Sequence, residues 1–357
     1  MNATVIRGCD LTDRHLDVWS EIQRSDPALS SPFFRPEFTQ AVAAVRNDVY
    51  VAELTESGQT VAFFPFCKGR MKIGRPVGQP LCDFQGIIGS VDAAWAETHL
   101  LDQCDLAAWE FDHLLCGQRL FETQQIATEE SPFIDVSDGY AHYRAKRRGA
   151  GRRAFRRLDE KMRQMDREIG PLCVRSNVRD PSLLELVMSW KSAQLRRTGK
   201  LDLFRLDWSR RLLELIFEQA DDDFAGTLSV LYAGDTVAAV HMGMRSGTVL
   251  HWWFPTYNHT LAKYSPGLLL LLQLVSSAET LGIKRIDLGK GDESYKRRFM
   301  SGSEMVAVGR SERPSLAMYA RRVGQIGVSM AKSLPLPRRV KGAARFVRLG
   351  RSWLKYR

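Results

Sequence analysis

The pattern of apolar and polar positions divides the chain into alternating and helical stretches. "VYVAELTESGQTVAFFPFCKGR" (49–70) and "GTLSVLYAGDTVAAVHMGMRSG" (226–247) each read as an alternating strand, a glycine turn and a second strand, the signature of a hairpin. Both turns carry Gly-x-Thr-Val-Ala, at Gly58–Ala62 and Gly234–Ala238. The repetition predicts a duplicated α/β unit whose halves meet near residues 135–150. Apolar residues at helical spacing predict helices over 180–199, ending at Gly199, and over 208–220. Then follow a strand in "TVLHWWFPTYN" (248–258), a leucine-rich helix from Pro266, a strand in "KRIDLGKG" (284–291) and a short helix in "DESYKRRFM" (292–300).

The leucine run "SPGLLLLLQLV" (265–275) is too short for a membrane span, which needs roughly 20 apolar residues. It reads as a core helix. Ser265 suits the N-cap and Pro266 the first helical position, while Gly267 lets another group approach the backbone. Unpaired first-turn N–H groups at a helix start would attract an anion.

Charge changes the picture only once it is located. The 357 residues carry 51 Lys/Arg and 41 Asp/Glu, a net charge of +10. Eleven of those cations, and no carboxylate, lie from Pro314 to Arg357, which leaves 40 basic against 41 acidic residues in positions 1–313. The excess belongs to the tail, which argues against a DNA-binding body. Over 338–357, Val340, Ala343, Phe346, Val347, Trp353 and Leu354 gather on one side of a helical wheel, opposite Lys341, Arg345, Arg348 and Lys355. Such a basic amphipathic segment suits an anionic membrane surface. The pairs Arg321–Arg322 and Arg338–Arg339 are also compatible with an anionic nucleotide such as a cyclic dinucleotide. A second basic run puts eight Lys/Arg between Arg144 and Arg157, either a solvated helix face or a positive rim for an anionic ligand. The six scattered cysteines form no Cys-x-x-Cys pair, which argues against a zinc site or disulfide framework and fits a reducing cytoplasm. The N-terminus lacks the basic-then-apolar pattern of a secretion signal.

"YSPGLLLLLQLVSSAETLGIKRIDLGKGDESYKRRF" (264–299) resembles the hallmark segment of the CelD/BcsL-type acyltransferases, a branch of the GNAT superfamily linked to bacterial cellulose and other exopolysaccharides. "SPFFRPEFTQAV" (31–42), "PLCDFQGII" (80–88), "SPFIDV" (131–136) and "WKSAQLRRTGKLDLF" (190–204) match in order, so the resemblance runs from about residue 30 to 305. It implies an α/β fold of two tandem GNAT-like domains in a FemAB-like arrangement, here 1–140 and 141–313, followed by the basic tail 314–357. It further implies a coenzyme A pyrophosphate held by Tyr264, Ser265, Pro266, Gly267 and Leu268. The usual Arg/Gln-x-x-Gly-x-Gly/Ala signature is absent, which leaves an aminoacyl-tRNA open as the donor.

Acyl transfer to an amine needs a base, donors for the oxyanion and an acid for the leaving group. The resemblance singles out Tyr295 and Lys296. Lys296 is a candidate for the oxyanion and Tyr295 for the leaving thiolate, with Glu293 one turn away. Asp287, at a strand end, is a base, an orienter or a turn cap. His241, on an apolar strand, is a base or a core histidine. Asp83, Phe84, Lys191, Gln194 and Trp252 are candidates for the acceptor side. The expectation is a cytoplasmic acetyl-CoA-dependent N-acyltransferase, with no metal, acting on a saccharide or lipid-linked amino sugar at the inner membrane. Its alternatives are an aminoacyl-tRNA-dependent transferase and a non-catalytic sensor of an anionic ligand.

Overall fold

The structure, a computed structural model, describes residues 2–91, 95–147 and 150–314. The tail from residue 315, where the sequence places an amphipathic segment and the arginine pairs, lies outside the described residues.

The first half begins with β1 (Asn2–Arg7), α1 (Asp13–Ser25) and α2 (Pro36–Val45). The predicted hairpin follows as β2 (Val49–Glu56) and β3 (Gln59–Lys68). Its two-residue turn, Ser57–Gly58, holds both residues at positive φ, the geometry that suits a tight hairpin and that Gly58 adopts without strain. Next come β4 (Ile73–Arg75), β5 (Ile88–Gly89), α3 (Glu97–Gln103), β6 (Ala108–Leu115) and β7 (Gln125–Asp135). The basic run forms two helices, α4 (Tyr140–Lys146) and α5 (Ala150–Glu168), leading to β8 (Leu172–Arg175). In α6 (Pro181–Thr198) the Asp180 side chain caps the start and Gly199, left-handed, ends the helix, as the sequence predicts. α7 (Asp207–Glu218) precedes the second hairpin, β9 (Phe224–Ala233) and β10 (Thr236–Ser246). The chain then runs through β11 (Val249–Tyr257), α8 (Pro266–Ser276), β12 (Arg285–Asp287), α9 (Ser294–Phe299) and β13 (Gly302–Glu312).

The strands make one mixed sheet in the order β1-β2-β3-β4-β6-β13-β7-β12-β11-β10-β9-β8, with β5 beside β3. The two related hairpins stand toward opposite ends of this order. They are joined through the middle by β13, which returns from the far end of the chain to pair with both β6 and β7. One apolar core crosses the halves, joining Phe33, Phe38 and Phe63 to Leu213, Phe224 and Trp253. Further cores lie around α8 and around Trp109.

α8 is the core helix the leucine run predicts. Leu269–Leu272, Leu274 and Val275 are buried, and its 11 residues span about 16 Å, half a bilayer's hydrocarbon thickness. No helix among the described residues is long and apolar enough to cross a membrane.

The basic run divides its work. Arg144 pairs with Asp159 and lies over Phe155, and Arg147 donates to the Met300 carbonyl. Arg152, Arg153, Arg156 and Arg157 are exposed along α5.

Candidate active site

β11 and β12 pair in parallel only over Val249–His251 and Arg285–Asp287. Beyond that point β12 ends and its chain leaves through Gly289, while β11 continues to Tyr257. The result is a notch along β11, from Trp252 onward, in the middle of the sheet.

A loop from the first half closes one wall of this notch. The indole N–H of Trp253 donates to the Leu81 carbonyl at 2.8 Å. Two residues on, Asp83 Oδ2 lies 2.9 Å from His251 Nε2. A carboxylate only accepts, so this imidazole carries its proton on Nε2. His251 is fully buried, with Phe33 edge-on at 4.9 Å, and its Nδ1 has no hydrogen-bond partner. Burial works to raise the pKa of Asp83. The hydrogen bond from His251, then His113 at 3.7 Å and Lys296, outweigh it and keep the carboxyl below its ordinary range. Gly289 makes the approach possible, because a Cβ there would sit 2.7 Å from Asp83 Oδ2 and its φ is +71°. His251 and Gly289 were not legible as site residues. Histidine 251 hides inside an apolar strand, and its partner lies 168 positions away.

The other wall carries α9. Lys296, buried, directs its ammonium to the carbonyls of Gly289 and Lys290 and to Glu293 Oε2, each at 3.0 Å. Three donors meet three acceptors, so Lys296 shapes the Gly289–Glu293 loop and supplies a fixed positive field. Direct donation to an oxyanion would require it to release one of these partners. Burial is the largest influence on Glu293, yet Lys296 reverses it and holds the carboxylate ionised. Tyr295 is half-buried and hydrogen-bonded to Trp252. Burial, then the charge of Glu293, pushes its phenol up, so the group stays protonated.

Lys191 reaches into the notch from α6, its Nζ 3.4 Å from the Pro255 carbonyl on the open part of β11. Burial and then Lys200 and Lys296 push its pKa down to about 8, against the pull of Glu293 and Asp83. Gln194 lies three residues further along α6, partly exposed.

The remaining candidates are placed otherwise. His241 is fully buried and stacked on Trp252, ring centroids 3.8 Å apart, with neither nitrogen bonded. Burial, then His251, drives its pKa well down, so it is neutral and sealed from proton exchange with a substrate. Asp287 is buried at the end of β12 and committed to Arg285 at 2.6 Å, which also binds Glu304. Burial raises its pKa and Arg285 opposes the rise. It acts as a clamp in the sheet. Phe84 is buried beside Phe34, and Trp252 is 4% exposed, so each presents little surface to an acceptor.

The helix start at the far end of β11 differs in detail from the expectation. Ser265 occupies the N-cap of α8 in a left-handed conformation and its side chain makes no cap bond. Instead Lys161 of α5 donates to Ser265 Oγ at 2.7 Å. The N–H groups of Leu268 and Leu269 both bond to the Ser265 carbonyl. Pro266 has no N–H, so the amide left in this turn is that of Gly267, two residues after the serine that accepts from Lys161. The space at Gly267 is open, since a Cβ would touch only the Tyr257 ring at 3.6 Å. Tyr264 is buried with its hydroxyl on Glu168 and supports the turn from beneath.

This arrangement has counterparts among known proteins. Residues 145–297, from α4 through the first turn of α9, match the family model described as an acetyltransferase (GNAT) domain. No curated protein sequence matches the chain. Among solved structures it is similar to FemX, with a TM-score of 0.56 at 9% identity, covering 86% of this chain and 96% of that one. A conserved protein of unknown function from Bacteroides thetaiotaomicron gives 0.55 at 11% identity, over 84% and 98%. The C-terminal domain of a putative lysylphosphatidylglycerol synthetase from Agrobacterium fabrum gives 0.51 at 12% identity, over 82% and 91%. At such identities the likeness is one of fold. The fold is that of a GNAT-type acyltransferase, and the stretch that matches the family model carries β11, Lys191, Tyr295 and the Gly267 turn.

Proposed function

We propose that the protein transfers an acyl group, acetyl in the simplest case, from acyl-CoA to the amine of an amino sugar on an exopolysaccharide or envelope precursor. The observation that carries this reading is the notch. From Trp252 to Tyr257 the unpaired side of β11 runs about 16 Å, joining a cluster of proton-handling side chains to an open, cation-flanked helix start. An extended pantetheine arm suits that run, with its pyrophosphate at the Gly267 amide and Lys161 and its thioester near Lys191 and Tyr295.

In this reading the acceptor enters between Asp83, Glu293 and Gln194, whose carboxylates and amide suit sugar hydroxyls and an ammonium. Neutral Lys191 takes the proton as the amine nitrogen bonds to the thioester carbon. The C–S bond then breaks, and Tyr295 passes its phenolic proton to the departing thiolate. Lys296 contributes its field without moving. The units 1–140 and 141–313 supply the acceptor loop and the donor site respectively. The tail 338–357 holds the enzyme against the cytoplasmic face of an anionic membrane.

A second reading, an aminoacyl-tRNA donor, is favoured by two observations. The coenzyme A signature is missing, and Arg152, Arg153, Arg156 and Arg157 stand exposed on the helix that delivers Lys161 to the turn. One assay separates the two. Purified protein is incubated with acetyl-CoA and glucosamine-containing oligosaccharides while free thiol is followed. Acceptor-dependent thiol release supports the first reading. Its absence, together with salt-sensitive tRNA binding, moves the second ahead.

A further inference from the structure

A second cleft, of about 1190 Å³, opens where the end of β1, the α2–β2 connection and the end of β3 meet the start of α7. It is separate from the acyl site. Phe38, in the first turn of α2, packs on Trp253 beside Phe33, which lies on His251, and α2 reaches the cleft only with its last residues, Ala43–Val45, about 8–10 Å further along the helix.

Six cations line this cleft, Arg7, Arg46, Lys68, Arg70, Arg205 and Arg211, against two carboxylates, Asp48 and Asp207. In positions 1–313 the two signs are nearly equal, so the bias is local. Three of the cations are already matched: Arg46 with Asp48 at 2.6 Å, Lys68 with Asp105 at 2.7 Å and Arg211 with Glu214 at 3.0 Å. Arg7, Arg70 and Arg205 are exposed and make no ion pair among the described residues. They come from three separate segments and from both halves of the chain. The N-terminus of α7, without a side-chain cap, opens into the same space and adds its partial positive charge.

Like charges brought together repel unless an anion joins them. With the three pairs matched and Asp207 set against the three free arginines, the cleft keeps a net charge of about +2, which adjoining phosphates match, with the paired oxygens that guanidinium groups bind, and a single carboxylate does not. A concave site excludes a flat bilayer surface and admits a compact ligand. We infer that this cleft binds the diphosphate group of a soluble ligand, with Arg7, Arg70 and Arg205 as its principal contacts. The group has two sources, a free nucleotide or a diphosphate-linked sugar. The inference does not depend on the acyl-transfer reading.

Calorimetric titration of the full chain with inorganic pyrophosphate and with UDP-N-acetylglucosamine tests it. Pyrophosphate is expected to bind one to one in Gly267→Glu, whose helix-start turn is blocked, and more weakly as salt rises. Arg70→Glu/Arg205→Glu is expected to lose at least tenfold in affinity while binding acetyl-CoA as the wild type does. Arg205→Gln, a neutral change at an exposed site, should show part of the same loss if the double variant folds poorly. UDP, titrated alongside, separates the sources: tighter binding of the UDP-sugar than of UDP, with the same arginine dependence, identifies the sugar-linked source, and equal binding of those two, tighter than of pyrophosphate, identifies the nucleotide. Equal binding of all three identifies the phosphates alone. Absence of saturable binding, or binding lost in Gly267→Glu and kept in the arginine variants, would overturn the inference.

Discussion

Replacing Gly289 by alanine probes the joint between the two halves at one atom. The new Cβ would stand 2.7 Å from Asp83 Oδ2, where ordinary contact begins near 3.4 Å, so the carboxylate must retreat by about 0.7 Å. Its bond to His251 is 2.9 Å long, and a retreat along that line takes it beyond hydrogen-bond range. A hydrogen bond to a charged group contributes about 1.5–3 kcal/mol, and a left-handed backbone costs a non-glycine residue roughly 1–2 kcal/mol. Destabilisation of about 3–4 kcal/mol is therefore expected, measured by urea unfolding. Misplacing a group in the acceptor site by this much should lower kcat on the order of 100-fold. The Gly267 turn lies at the other end of β11, so the Kd for acetyl-CoA should hold. Stability within 0.5 kcal/mol of wild type, with unchanged turnover, would refute the reasoning.

Four further outcomes are expected. Lys191→Arg keeps the charge but stays protonated, so kcat should fall about 100-fold or more, and the rise in rate expected of the wild type through about pH 8 should be absent from its pH profile. Tyr295→Phe should slow thiol release while leaving acetyl-CoA affinity intact, and poorer leaving groups should suffer most. Leu271→Ala should cost about 2–5 kcal/mol in thermal or chemical unfolding, since the residue is buried in the core around α8. Burial raises the pKa of Asp112, but His113 and Gln85 more than offset this and lower it from 3.8 to about 2. Its stabilisation is thus present above about pH 4 and fades as pH falls toward 2, and Asp112→Asn should flatten that part of an acid-unfolding curve.

What could be read from the chain was local. The glycine turns fixed both hairpins, Asp180 and Gly199 bounded α6, and the leucine run with Pro266 announced α8. Lys191, Lys296 and Tyr295 were named from nearby motifs, and the fold brings them to one notch. The joining features were not legible, because they depend on contacts between distant residues. The entry of β13 between β6 and β7 follows from the closing of the sheet, and nothing in "GSEMVAVGRSE" marks its neighbours. Lys161 stood within a basic helix with no sign of which cation faces Ser265. His241 and His251 lie on adjacent strands in similar apolar surroundings. Only the loop carrying Asp83 distinguishes the histidine that gains a carboxylate from the one that packs against a ring.

Acetyl-CoA titration by calorimetry, with Gly267→Glu beside the wild type, bears most directly on the acyl-transfer account. Saturable binding at micromolar concentration, lost when a carboxylate enters the open turn beside Lys161, is the expected result. A wild type that binds no acetyl-CoA, or a variant that binds it equally well, would contradict the placement of the donor along β11.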